Sequence, residues 1–171
     1  MSAGVIMILR VLHILGGVFW VGAAIFVAAF LGPALRVAGP GGNAVMAAIA
    51  RRLPIAMMLS MSATLIAGFL LYWHNARVGG SPWLGSGPGR VFGLGGILAL
   101  AGGVVGMVVS APTGRKLGTL GAAMAAAGRP PTPDEVASMQ ALQRRLTSAA
   151  IAVAVLVSLA TVCMAVARYV T

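Results

Sequence analysis

The sequence predicts an all-α fold, an integral membrane four-helix bundle with a cytoplasmic helical hairpin extension between helices 3 and 4. Three observations predict it. Hydrophobic residues make up 60% of the 171 and charged residues only 8%, far from the mix that keeps a soluble domain dissolved. Four apolar runs, Val5–Leu31, Pro54–Trp73, Val91–Ala111 and Leu146–Val170, each reach the length of about 20 residues that a helix needs to cross a hydrocarbon core. Clusters of Gly and Pro fall between the runs. Residues 1–171 therefore read as a single transmembrane domain, with spans at about 5–31, 54–73, 91–111 and 146–170.

The first run is too long for a signal peptide and carries Arg10, His13 and Trp20, so it reads as a mature helix. Gly32-Pro33 is expected to end it, and Gly39-Pro40-Gly41-Gly42 marks a loop. Between Asn43 and Leu53, the positions Val45, Met46 and Ile49 beside Arg51 and Arg52 predict a short interfacial helix feeding the second span, with Pro54 early in that span. The stretch from Gly79 through Gly89 is expected to be the loop between the second and third spans. Pro112 is expected to kink the third helix, which would run on through Gly114–Ala127 to a stop at Gly128. Thr132, Pro133 and Glu135 have the spacing of a capping box, so the fourth helix should begin at Pro133. Continued to Val170, it is far longer than a membrane requires, and the surplus predicts the projecting hairpin.

Two acidic residues face 12 Lys and Arg, a net charge of +10. The basic residues lie between apolar runs and build no aromatic-interleaved face, so lipid is the expected partner and nucleic acid is not. With four crossings, Arg36, Arg51, Arg52, Arg115, Lys116, Arg129, Arg144 and Arg145 share one side, against Arg10, Arg77, Arg90 and Arg168 on the other. The richer side should be cytoplasmic, leaving both termini outside a bacterial-type inner membrane.

Only two histidines exist. This topology places His13 near the outer end of the first helix and His74 at the outer end of the second, where the imidazoles are expected to meet as axial ligands of a haem. Gly16, Gly17 and Trp20 follow His13, and the small residues are expected to leave room for a flat macrocycle; on the second helix His74, Leu70, Ala67 and Ser60 share a stripe. Helix packing alone accounts for glycines of this kind, including Gly102 and Gly106 in the third span. Arg10, one turn before His13, and Arg90 are the expected partners of haem propionates, while Arg77 and Arg168 read as residues snorkelling to headgroups. A second reading assigns copper to the thioethers of Met57, Met58, Met61 and Met107, at the opposite end from the histidines.

No Asp or Glu lies within a span, Cys163 is the only cysteine, and neither a catalytic triad nor a phosphate-cradling glycine motif can be assembled. Hydrolysis and nucleotide chemistry are therefore not expected.

Arg10-Val-Leu-His13 followed by Gly17-Val-Phe-Trp20-Val-Gly22, then Arg51-Arg52-Leu53-Pro54 leading to Gly68-Phe-Leu-Leu-Tyr72, resembles the copper resistance protein D-like membrane superfamily, which includes the HemJ-type protoporphyrinogen oxidases. The resemblance covers the first two spans and the remainder in outline. It implies that His13 is a haem ligand. A third-helix lysine is also important in HemJ-type proteins, and its nearest counterpart here is Arg90, which stays protonated and cannot ligate iron. That departure argues against porphyrinogen oxidase activity. The expectation is a membrane protein binding haem b through His13 and His74 and passing electrons to a membrane redox partner, with copper handling or a HemJ-like oxidase activity as alternatives.

Overall fold

The computed structural model describes residues 1–38, 42, 48, 49 and 52–171, and most of the interfacial helix expected over 43–53, Arg51 included, lies outside them. Four long helical rods make up the described chain. The first is α1 (Ala3–Phe26), a π turn (Val27–Leu31) and α2 (Gly32–Ala38). The second is α3 (Leu53–Gly85), with Pro54 in its first turn as expected. The third joins α4 (Gly87–Val105), a second π turn (Gly106–Ser110) and α5 (Ala111–Ala126). The fourth is α6 (Pro133–Val166), closed by a 3-10 turn (Ala167–Tyr169). Each rod holds a segment long and apolar enough to cross a membrane: Ala3–Leu35, Leu53–Gly85, Gly87–Ala126 and Pro133–Tyr169.

The helix end expected at Gly32-Pro33 is absent, and Pro112 sits in the same setting within a helix that runs on as expected. A proline inside a helix has no N–H to donate, and its ring crowds the carbonyl four residues back. Pro33 and Pro112 each follow a π turn, in which Gly32 donates its N–H to the Val27 carbonyl and Ala111 to the Gly106 carbonyl, one residue further back than in an α-helix. The wider turn accommodates the ring, so neither Gly32-Pro33 nor Pro112 ends its helix. The expected loop over 79–89 is also nearly closed up. Gly80, at φ 63, turns the chain, helical residues resume to Gly85, and Ser86 alone separates α3 from α4, its hydroxyl accepting from Gly89 N–H at 3.2 Å. Only glycine takes such a backbone angle without strain.

The π turns reveal a repeat. Gly16-Gly17, the turn Val27–Leu31, Pro33 and Arg36 recur in order and spacing as Gly95-Gly96, the turn Gly106–Ser110, Pro112 and Arg115. Arg51-Arg52-Leu53 likewise recurs as Arg144-Arg145-Leu146, and the buried Met61, Thr64 and Ala67 match the buried Ala154, Val157 and Ala160. The chain is thus two versions of one helical hairpin, α1 with α3 and α4 with α6. Each pair packs closely within itself.

The pairs meet around a core of Trp20, Ala24, Met61, Val153, Ala154 and Val157. Glycine sets the approach there: a Cβ on Gly102 would come within 3.0 Å of Val157 Cγ1, and one on Gly103 within 3.3 Å of Met61 Sδ. Such contacts join helices by dispersion, the main attraction left when the surroundings are as apolar as the core.

Beyond the core, α5 and the start of α6 continue as the expected projecting hairpin, with Met139 reaching Gly121 across the seam. Gly128, at φ 61, follows the end of α5. Thr132 caps α6, its hydroxyl accepting from Glu135 N–H at 3.3 Å while Glu135 Oε2 accepts from Thr132 N–H at 2.8 Å. Arg129 adds a two-pronged ion pair to Glu135, both bonds 2.9 Å long, which together with the cap holds the Glu135 carboxyl down to about 2. This is the hairpin end of the bundle; the opposite one is its terminal end.

Candidate functional site

His13 sits where α1 crosses α3. Its Nδ1 lies 2.8 Å from the carbonyl oxygen of Thr64. A carbonyl only accepts, so Nδ1 carries the proton, and a neutral ring then keeps its lone pair on Nε2. The imidazole also fills the space a side chain at 68 would take: a Cβ on Gly68 would stand 2.7 Å from His13 Cε1 and 2.8 Å from Nδ1. Thr64 and Gly68, one turn apart, therefore hold the ring from two sides.

The space expected beside His13 is taken. A Cβ on Gly16 would lie 2.7 Å from Thr64 Oγ1 and 3.0 Å from the Ser60 carbonyl, and one on Gly17 would lie 3.6 Å from Thr64 Cγ2. The Thr64 hydroxyl is itself pinned, donating to Ser60 O at 2.7 Å. Gly16 and Gly17 thus bring the helices together and open no slot between them. Trp20 is 3% exposed in the core, roughly 10 Å along the helix from His13, and packs with Met61 and Val157.

His74 does not join His13. It lies six residues beyond Gly68 on α3, roughly 9 Å further along the axis and turned roughly 80° from the direction of Thr64. Among the described residues its ring has no hydrogen-bond partner within the chain. The contact that holds His13 therefore lies at another level of α3 from His74, and His74 takes no part in it.

The arginines divide as well. Arg10 is exposed one turn from His13 on α1, and among the described residues no carboxylate pairs with it. Arg90 is exposed in the first turn of α4, beside an open depression formed with Gly87 and Val170. Arg77 lies over the ring of Trp73, its guanidinium carbon 4.9 Å from the ring centre, as a headgroup-level anchor would. Arg168 is exposed in the closing 3-10 turn.

Met57 packs against the core that holds Met61. Met61 is 7% exposed in the core, whereas Met58 and Met107 are each 54% exposed. Among the described residues no group of three His, Cys, Asp or Glu side chains could hold a metal ion.

At the terminal end α1 packs mainly on α3, and Val5, Ile8, Val11 and Leu12 stay exposed beside His13. The site is thus a half-buried imidazole of fixed tautomer with an apolar flank and a free arginine one turn away. Gly68 is marked in the sequence only by the run that carries the family resemblance and Thr64 not at all; Ser60, Ser62 and Thr64, polar residues in an otherwise apolar run, were the available signal. Fold and site define a four-helix bundle of membrane-crossing dimensions with one well-held histidine between its first two long helices. Comparison with protein-family models, characterised proteins and solved structures finds no match.

Proposed function

We propose that this chain is a multi-pass protein of a bacterial-type inner membrane that binds a b-type haem through His13 and passes electrons to a membrane partner. One observation carries the reading, the 2.8 Å contact from His13 Nδ1 to the Thr64 carbonyl. Metal-bound histidines characteristically donate their second ring N–H to a carbonyl or carboxylate, which fixes the ring and raises the basicity of the ligating nitrogen. Thr64 would play that part here, leaving Nε2 for iron.

The residues present fit a haem at the flank of the α1–α3 pair, since the interface itself is closed. Val11 and Leu12 are exposed there and would lie against a macrocycle. Arg10 would meet a propionate, because guanidinium and carboxylate form a strong charge-assisted pair. Gly68 would keep the imidazole seated by leaving it space. Bound there, the haem would supply a one-electron couple tuned by its axial ligand and the polarity around it. The reading assigns one protein ligand, His13. His74 would stand apart from it at the terminal end. The resemblance to the copper resistance protein D-like superfamily supports the same residue.

With eight of the 12 basic residues on its side, the hairpin end would face the cytoplasm and both termini would lie outside. The test is an absorption spectrum of the protein purified after haem-replete expression. The proposal expects a Soret band and a reduced α-band, both lost in His13→Ala. Absence of both bands from the wild type would leave the His13–Thr64 contact as a clamp between helices and refute the haem.

A further inference from the structure

The hairpin end carries cations that no acidic residue answers. Arg52, Arg115, Lys116, Arg144 and Arg145 are all exposed, and among the described residues the one ion pair is Arg129 with Glu135 at the hairpin tip. The five stand at nearly one level. Met61 packs on Gly103 and Val157 on Gly102, so these residues mark a common height in the core. At about 1.5 Å per residue, Arg52 lies roughly 14 Å below Met61, while Arg115, Lys116, Arg144 and Arg145 lie roughly 18 to 20 Å below Gly103 and Val157.

The opposite marker is Trp73, on which Arg77 rests. It lies roughly 32 Å along α3 from Arg52, close to the thickness of a hydrocarbon core, about 30 Å. The belt therefore falls where phospholipid headgroups begin. The projecting hairpin, where a soluble partner would dock, carries no Lys or Arg between Lys116 and its tip at Arg129. Both halves of the repeat supply the belt: Arg52, which immediately precedes α3, matches Arg145 within α6.

We infer that this belt binds anionic phospholipid headgroups selectively, so that the protein takes phosphatidylglycerol-type lipids in preference to zwitterionic ones on its hairpin side. Guanidinium forks pair with the phosphate diester, and the absence of neighbouring carboxylates leaves every cation available to lipid. Each basic residue at a membrane surface strengthens binding to anionic lipid about fivefold. Neutralising four of the five would thus weaken it about 600-fold. The inference rests on the membrane reading above and is independent of the haem.

The experiment uses the full chain purified in neutral detergent, titrated with phosphatidylglycerol, phosphatidylcholine or inorganic phosphate, and read by native mass spectrometry and thermal melting. Expected are bound phosphatidylglycerol and a higher melting temperature, fading with added salt, while phosphatidylcholine and inorganic phosphate do neither. R115Q/K116Q/R144Q/R145Q should lose the effect, whereas R77Q/R168Q at the other end should keep it. If the quadruple variant does not fold, the milder K116Q/R145Q should show the reduced effect. Equal binding of the two lipids, an equal shift with inorganic phosphate, or variants that bind like wild type would each overturn the inference. So would an acidic protein retained through these cations in place of lipid. A chain that stays in carbonate-washed membranes yet shows no lipid preference refutes this inference alone; one that washes out refutes the membrane reading.

Discussion

Gly68→Ala tests how the His13 ring is held. The added methyl would stand 2.7 Å from His13 Cε1 and 2.8 Å from Nδ1. Relaxed carbon contacts lie at about 3.5 to 4.0 Å, so the ring has to move by roughly 1 Å. Starting from a Nδ1–O distance of 2.8 Å, that shift carries the hydrogen bond towards or past its limit. Its loss costs about 1 kcal/mol and the overpacking about 1 to 3 kcal/mol. The better helix propensity of alanine returns up to about 1 kcal/mol, leaving a net destabilisation of roughly 1 to 3 kcal/mol. A displacement of that size also exceeds the tolerance of about 0.5 Å within which a ligand must be held. Gly68→Ala should therefore melt lower than wild type and lose most of its haem absorbance while remaining folded. Gly22→Ala, whose methyl meets nothing within 4 Å, is the control and should match or exceed wild type in both readouts. A Gly68→Ala protein with the wild-type spectrum and melting temperature would refute the seating of the ring described above.

Three further outcomes follow from the same geometry. Gly16→Ala should destabilise the α1–α3 pair by roughly 2 kcal/mol, because its methyl meets the Ser60 carbonyl at 3.0 Å and backbone cannot swing aside, while Gly17→Ala, in ordinary contact at 3.6 Å, should be tolerated; melting in detergent compares them. Trp20→Ala should cost about 3 kcal/mol by emptying the core between the two hairpins, read by the same melts. At the hairpin tip, Glu135 is held to about 2 by Arg129 and the Thr132 N–H, so its contribution is complete above its ordinary value of 4.5 and is lost as pH falls towards 2. Protection of the amides over 129–136, taken relative to the intrinsic exchange rate at each pH, should fall across that window in wild type, whereas Thr132→Ala, about 1 kcal/mol weaker at the cap, should be less protected already at neutral pH.

The rods were legible in the sequence because length and apolarity are local properties. The capping box at Thr132, the stop at Gly128 and the projecting hairpin followed from residue types at fixed spacing, and all three are present. The end expected at Gly32-Pro33 is absent, because a π turn placed just ahead of a proline removes the clash that ordinarily breaks a helix. The repeat was equally present as Gly-Gly, Pro-x-x-Arg and Arg-Arg-Leu, but few identities mark it, and the matching π turns are what draw attention to it. At the site, His13 stood out as an ionisable residue in an apolar run. Its partner did not, since which carbonyl a histidine meets depends on the register of two helices. The same register turns Gly16 and Gly17 from expected space into contact with Thr64.

The most direct test of the central claim is chemical rescue of His13→Gly. Removing the side chain leaves an imidazole-sized space between Gly68 and the Thr64 carbonyl. The account predicts that purified His13→Gly lacks the haem bands and that added imidazole restores them, whereas His74→Gly keeps them throughout. Haem bands of full intensity in His13→Gly without imidazole would contradict it.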